Sequence, residues 1–148
     1  MKSWQIKLEI GKCEVQIKVN CSLIKTAERD YESLGAFRSS VSSYQSEFAA
    51  GNAGKSQALD AVLAISKDCD AAARYHKGMK NLVVRNGGKI VDVLMEKLLR
   101  YTKKAMQDKL DDISELEEAN RKLQSKIERL KKELEIAEMN EAFDDANK

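Results

Sequence analysis

Proline is absent from the 148 residues, and glycine occurs only seven times. A chain without proline lacks the strongest breaker of a helical backbone ladder, and one so poor in glycine has few sites for tight turns, so the composition suits long helices better than a loop-rich α/β enzyme. Aromatic residues make up only 5% of the chain. No apolar run approaches the roughly 20 residues needed to cross a bilayer. The first residues, Met1-Lys-Ser-Trp-Gln-Ile-Lys-Leu-Glu-Ile, alternate charged and polar residues with apolar ones and contain no signal-peptide core. Three cysteines, Cys13, Cys21 and Cys69, leave one unpaired in any disulfide scheme and match no zinc spacing, which points to a reducing compartment. The expectation is a cytoplasmic protein, or one secreted without a leader.

What the chain does have is charge, 34% of all residues, distributed unevenly. Residues 1–73 balance nine basic against nine acidic side chains. Residues 74–109 carry ten basic and three acidic, and residues 110–148 carry seven basic and twelve acidic. A basic middle and an acidic end describe a binding surface, or two regions that attract one another.

The pattern divides the chain into three parts of one domain, mainly α in class. Over residues 1–20, Trp4, Ile6, Leu8 and Ile10 alternate with polar residues, as do Cys13, Val15, Ile17 and Val19, with Gly11-Lys12 between them. Alternation around a Gly-X pair predicts a β-hairpin with all eight apolar side chains on one face. Over residues 21–86 the period becomes helical. Ala27, Leu34, Val41 and Phe48 recur every seven residues, and the segment Ala49-Ala-Gly-Asn-Ala-Gly-Lys55 ends the first helix. Ser56 caps a second, in which Val62, Cys69, His76 and Val83 form one row. The two predict an antiparallel αα-hairpin. After Asn86-Gly87-Gly88, a long helix over 89–141 carries a coiled-coil segment at about 106–139, followed by an acidic tail, 142–148. Its heptads place Ile113, Asn120, Ile127 and Leu134 at a, with Leu116, Leu123, Leu130 and Ala137 at d.

The seam of that helix, Ile113, Leu116, Asn120, Leu123, Ile127, Leu130 and Leu134, is the expected partner-binding surface. A parallel homodimer would set Lys126 against Lys131 and Glu133 against Glu138, so it is disfavoured, and an antiparallel or heteromeric helical partner, or self-association of another kind, is expected.

Three features bear on chemistry. The run Ala49–Ser56 fits a relaxed phosphate-loop pattern ending Gly54-Lys55-Ser56. Such a loop needs a parallel strand before it and a sheet around it. No such strand is legible, so a helix–helix turn is expected, with no catalytic residue and no cofactor. His76 is the only histidine, two turns from Cys69 and too far for one metal ion to bridge them, so it is read as structural and no metal site is expected. Cys69 is read as core packing. Lys97, Arg100 and Lys104 follow helical spacing, with Lys103 beside them, and a nucleic-acid-binding accessory role for the basic 74–109 region is the alternative reading. The first reading is a non-enzymatic helical interaction or adaptor protein.

From about Leu23 to Val93, two amphipathic helices joined after Phe48-Ala-Ala-Gly51 resemble the small helical-hairpin substrates and partner proteins of bacterial type VII secretion. That resemblance implies a leaderless chain that pairs through helix stripes with a larger secreted protein.

Overall fold

The computed structural model describes residues 1–65, 70–82 and 87–147. Three helices account for almost all of them: α1 (Ser3–Ile65), α2 (Asp70–Lys80) and α3 (Gly87–Ala146). The chain forms two compact units. One comprises residues 1–31 with 107–148, the other residues 32–106.

The N-terminal β-hairpin expected over residues 1–20 is not formed; those residues are helical from Ser3 onward. The alternation that predicted strands has a different origin. At about 100° per residue, side chains two apart on a helix point to nearly opposite sides. Ile6 and Ile10 therefore lie on one face and Trp4 and Leu8 on the other. Ile6 is buried and Ile10 half-buried, whereas Trp4 and Leu8 are exposed. The buried face continues through Cys13, Ile17, Asn20, Ile24 and Ala27 with heptad spacing, in phase with the row of Leu34, Val41 and Phe48 downstream. A short hairpin would have to find a third layer for stability, while the helix extends a stripe that already has one.

The break expected at Ala49–Lys55 is also absent. α1 runs through it to Ile65, so the first limb of the αα-hairpin expected over 21–86 takes in residues that the pattern gives to the second. No glycine among the described residues takes a positive φ. A Cβ at Gly51 or Gly54 would meet nothing within 4 Å. Gly51→Ala and Gly54→Ala should therefore each stabilise the protein, by about 0.5–1 kcal/mol, since alanine loses less backbone entropy in a helix. Thermal melts check this, and a fall in midpoint would restore the turn. Gly87 is the opposite case, because a Cβ there would stand 2.6 Å from the Leu82 carbonyl oxygen.

In the first unit, residues 3–31 of α1 lie antiparallel to residues 107–146 of α3. Contacts run in reverse order along the two helices, from Ser3 with Glu141 through Lys7 with Glu138 and Asn20 with Asn120 to Asp30 with Lys109. The start of α1 is capped from both helices. Gln5 accepts from the Lys2 amide at 2.9 Å, the N3-to-N-cap half of a capping box. Glu141 accepts from the Ser3 amide at 3.0 Å and from its hydroxyl at 2.7 Å, which places a carboxylate on the positive end of the helix.

In the second unit, residues 32–65 of α1, α2 and the start of α3 come together. Val41 and Leu59 are buried, and Gly35 admits the Met106 methyl group to 3.6 Å of where its Cβ would be. His76 and Lys80 of α2 reach Asp60 of α1, at 2.7 and 3.2 Å, so α2 lies back along the end of α1.

α3 follows the expected long helix closely, and residues 142–146 of the predicted tail are its last turn. Among the described residues, only seven apolar side chains are buried, and none of the large ones is completely enclosed. Two packed helices offer each other one face apiece and leave the rest to solvent.

Candidate functional site

The seam predicted on α3 is where the first unit holds together. Ile127 and Leu130 are each 3% exposed. Ile113, Leu116, Asn120, Leu123 and Leu134 are half-buried on the same stripe, with Ala137. The surface it faces is α1 of the same chain, whose buried row (Ile6, Cys13, Asn20, Ala27) has the same spacing. At the observed register Cys13 stands level with Ile127, and Ile17 with Leu123.

Asn120 has a counterpart that the sequence reading missed. Asn20, 5% exposed, donates from Nδ2 to Asn120 Oδ1 at 2.8 Å and accepts from Gln16 Nε2 at 2.9 Å. Asn120 Nδ2 in turn approaches Cys21 Sγ at 3.6 Å. Among the described residues, no buried side-chain nitrogen or oxygen is left without a partner. An amide pair at one layer of an apolar seam is satisfied in one alignment only, so it fixes register. Continuing the row Ala27–Leu34–Val41 upstream by sevens would have found Asn20.

The flanks carry opposite charges across the seam. Lys7 meets Glu138 at 2.7 Å, Lys109 meets Asp30 at 3.1 Å, and Lys126 meets Glu9 at 3.5 Å. The like-charge contacts that weighed against a parallel pair are replaced by attractive ones in this antiparallel pair. These pairs are solvent-exposed, so each adds little to stability and mainly selects orientation.

Hydrogen bonds from Ser3, above all from its backbone amide, hold the Glu141 carboxyl below its ordinary value. Lys12, followed by Lys126, does the same to Glu9. His76 and then Lys80 do it to Asp60. A carboxylate with a depressed folded value stabilises the fold at neutral pH, and that contribution disappears as pH falls through the folded value. Thermal midpoints should therefore hold steady from pH 7 to about 5 and then drop below about pH 4. Glu141→Gln, which lacks the titration, should show a smaller drop over the same window.

The remaining candidates fall as follows. Ala49–Ser56 is helical, so its amides donate along α1 and form no phosphate cradle, and Lys55 is exposed. His76 is half-buried with Nε2 2.7 Å from Asp60. Cys69 lies outside the described residues. No three His, Cys, Asp or Glu side chains gather into a metal-binding group among the described residues. Lys97, Arg100 and Lys104 do come together, lining one shallow hollow with Tyr101.

Besides single exposed apolar residues such as Leu23, Phe37, Tyr44 and Leu82, two sets of outward apolar side chains are grouped on the described residues. In the second unit Ile90, Val93, Leu94, Leu98 and Tyr101 form a helical stripe on α3, 40–67% exposed. In the first unit Trp4, Leu8, Val15 and Val19 stand out from α1, and Ile136, Met139 and Phe143 from α3. No helix of the described residues is long and apolar enough to cross a membrane. Compared with protein-family models, curated proteins and solved structures, the chain matches none.

Proposed function

We propose that this is a non-enzymatic interaction protein whose α3 stripe at residues 90–104 receives a helix from another protein. One observation carries the reading. Five large apolar side chains at helical spacing face outward on a helix whose inner face is already used. Exposed apolar stripes of this kind mark sites of protein association. Lys97, Arg100 and Lys104 border the stripe, so the matching helix is amphipathic with carboxylates along its edges. On the resemblance to type VII secretion partners, that helix would belong to a larger secreted protein.

Cross-linking in the producing cells tests this. Lys97, Lys103 and Lys104 should couple to acidic residues of one helical protein, and Leu94→Glu with Leu98→Glu should abolish the coupling. Links confined to the chain itself would refute the proposal.

The grouping of the three cations around Tyr101 favours a second reading, a nucleic-acid contact in which phosphates lie on the cations and a base stacks on the ring. It predicts affinity for single-stranded nucleic acid that falls steeply with salt and is lost in a Lys97→Glu, Arg100→Glu, Lys104→Glu variant. Absence of any shift in a low-salt gel would end it.

A further inference from the structure

We infer that a second copy of this chain covers the outward faces of the first unit, the α1 face of one copy packing on the α3 face of the next. This deepens the interaction reading by naming an occupant for surfaces that reading leaves open.

The argument starts from the heptad positions of α1. Over residues 1–31 the outward positions hold Met1, Trp4, Leu8, Gly11, Val15 and Val19, together with Lys12, Lys18, Lys25 and Arg29. All four carboxylates of the stretch, Glu9, Glu14, Glu28 and Asp30, stand beside the seam instead. The outward face of α1 is therefore apolar at its start, cationic further on, and free of acids. Trp4, Leu8, Val15 and Val19 are 47–61% exposed.

The outward face of α3 has the matching composition. Near its end stand Ile136, Met139 and Phe143, 61–72% exposed, and earlier come Asp108, Asp111 and Glu115. Between them Glu118 is paired with Arg121 and Lys122 of the same helix, and Arg129 and Lys132 also face outward. The register of the unit shows that these features are also matched in level. Ser3 bonds Glu141 and Lys7 bonds Glu138, which puts Met1 level with Phe143, Trp4 with Met139, and Leu8 with Ile136. Further along, Asp30 bonds Lys109, which brings Lys25 and Arg29 level with Glu115 and Asp111. Within one chain these faces cannot meet, because they point away from the shared seam on opposite sides. A second copy set alongside at the same level brings apolar onto apolar and cation onto carboxylate at a single alignment. Between those zones Lys12 and Lys18 come level with Lys132 and Lys122. These cations oppose the contact, but they sit on long exposed side chains that can turn into solvent.

Such a contact is head-to-tail, since each copy offers one face of each kind. The wild-type chain should therefore add copies in a row or ring, and blocking one face should leave the other competent.

Analytical ultracentrifugation of the full chain tests the inference with two variants. Leu8→Glu, Val15→Glu removes the α1 face, and Met139→Lys, Phe143→Lys removes the α3 face. All four positions are exposed, so helical circular dichroism should stay at the wild-type level. Wild type should sediment at multiples of 16.6 kDa, and each variant alone at a single copy. An equimolar mixture should give a two-copy particle and nothing larger, because only one working pair of faces exists in it.

A wild type that stays at one copy at several hundred micromolar would overturn the inference. So would a variant that still self-associates, or a mixture that stays at one copy. The α3 stripe at 90–104 is intact in every sample, so failure here leaves the partner-helix reading to its own cross-linking test.

Discussion

Replacing Asn20 by leucine should lower the unfolding free energy by about 1–3 kcal/mol, the cost of leaving the facing amide without its partner inside the seam. Asn120, half-buried, would lose the hydrogen bond at 2.8 Å and keep only a weak sulfur contact to Cys21. Replacing both asparagines by leucine should do the reverse and raise stability above wild type, because an apolar layer replaces a polar one. The gain should come with a loss of alignment. Zero-length carbodiimide coupling reads this directly. Wild type should join Lys7 to Glu138 and Lys109 to Asp30, whereas the double variant should also yield products displaced by a heptad. A double variant that yields only the wild-type couplings would show that the amide layer is not what sets the alignment.

Shortening the seam where it is most enclosed should have an effect as large or larger. Ile127→Ala and Leu130→Ala should each cost about 2–5 kcal/mol in urea unfolding, through lost transfer energy plus the space left behind. Lys132→Ala, on the outward side of the same two turns, should change stability by no more than about 0.5 kcal/mol. Equal effects at the three positions would mean that α3 does not present this face to α1.

Much of α3 was legible in the sequence because one stripe of leucines and isoleucines at 3.5 spacing has one physical interpretation. Asn120 stood out for the same reason, a polar residue in an otherwise apolar row. The start of α1 misled because it carries apolar residues on two opposite sides. Trp4, Ile6, Leu8 and Ile10 then alternate as a half-buried strand would, and Gly11-Lys12 falls where a turn would be wanted. What separated the two readings was phase. Ile6 and Cys13 extend by sevens into Asn20, Ala27 and Leu34, whereas a strand pattern ends at residue 20. Gly51 and Gly54 misled differently, since each glycine weakens a helix by only about 1 kcal/mol relative to alanine and two of them need not end it. The outward faces could not be told from core rows by sequence, because only the partner helix reveals which of two apolar sides is used.

The antiparallel seam also sets an order of events during folding. Asp60 and His76 are 16 residues apart, Asn20 and Asn120 are 100 apart, and Ser3 and Glu141 are 138 apart. Each doubling of the span to be closed adds about 0.6 kcal/mol of chain entropy, so the near contacts form first and shorten the path for the distant ones. Within the first unit the seam should therefore close from its Asp30–Lys109 end toward Ser3 and Glu141, more slowly than in helical proteins whose contacts are all local. The last turns to close carry Trp4, Leu8, Ile136 and Phe143, so these outward apolar side chains come level with one another only once the rest of the seam is in place.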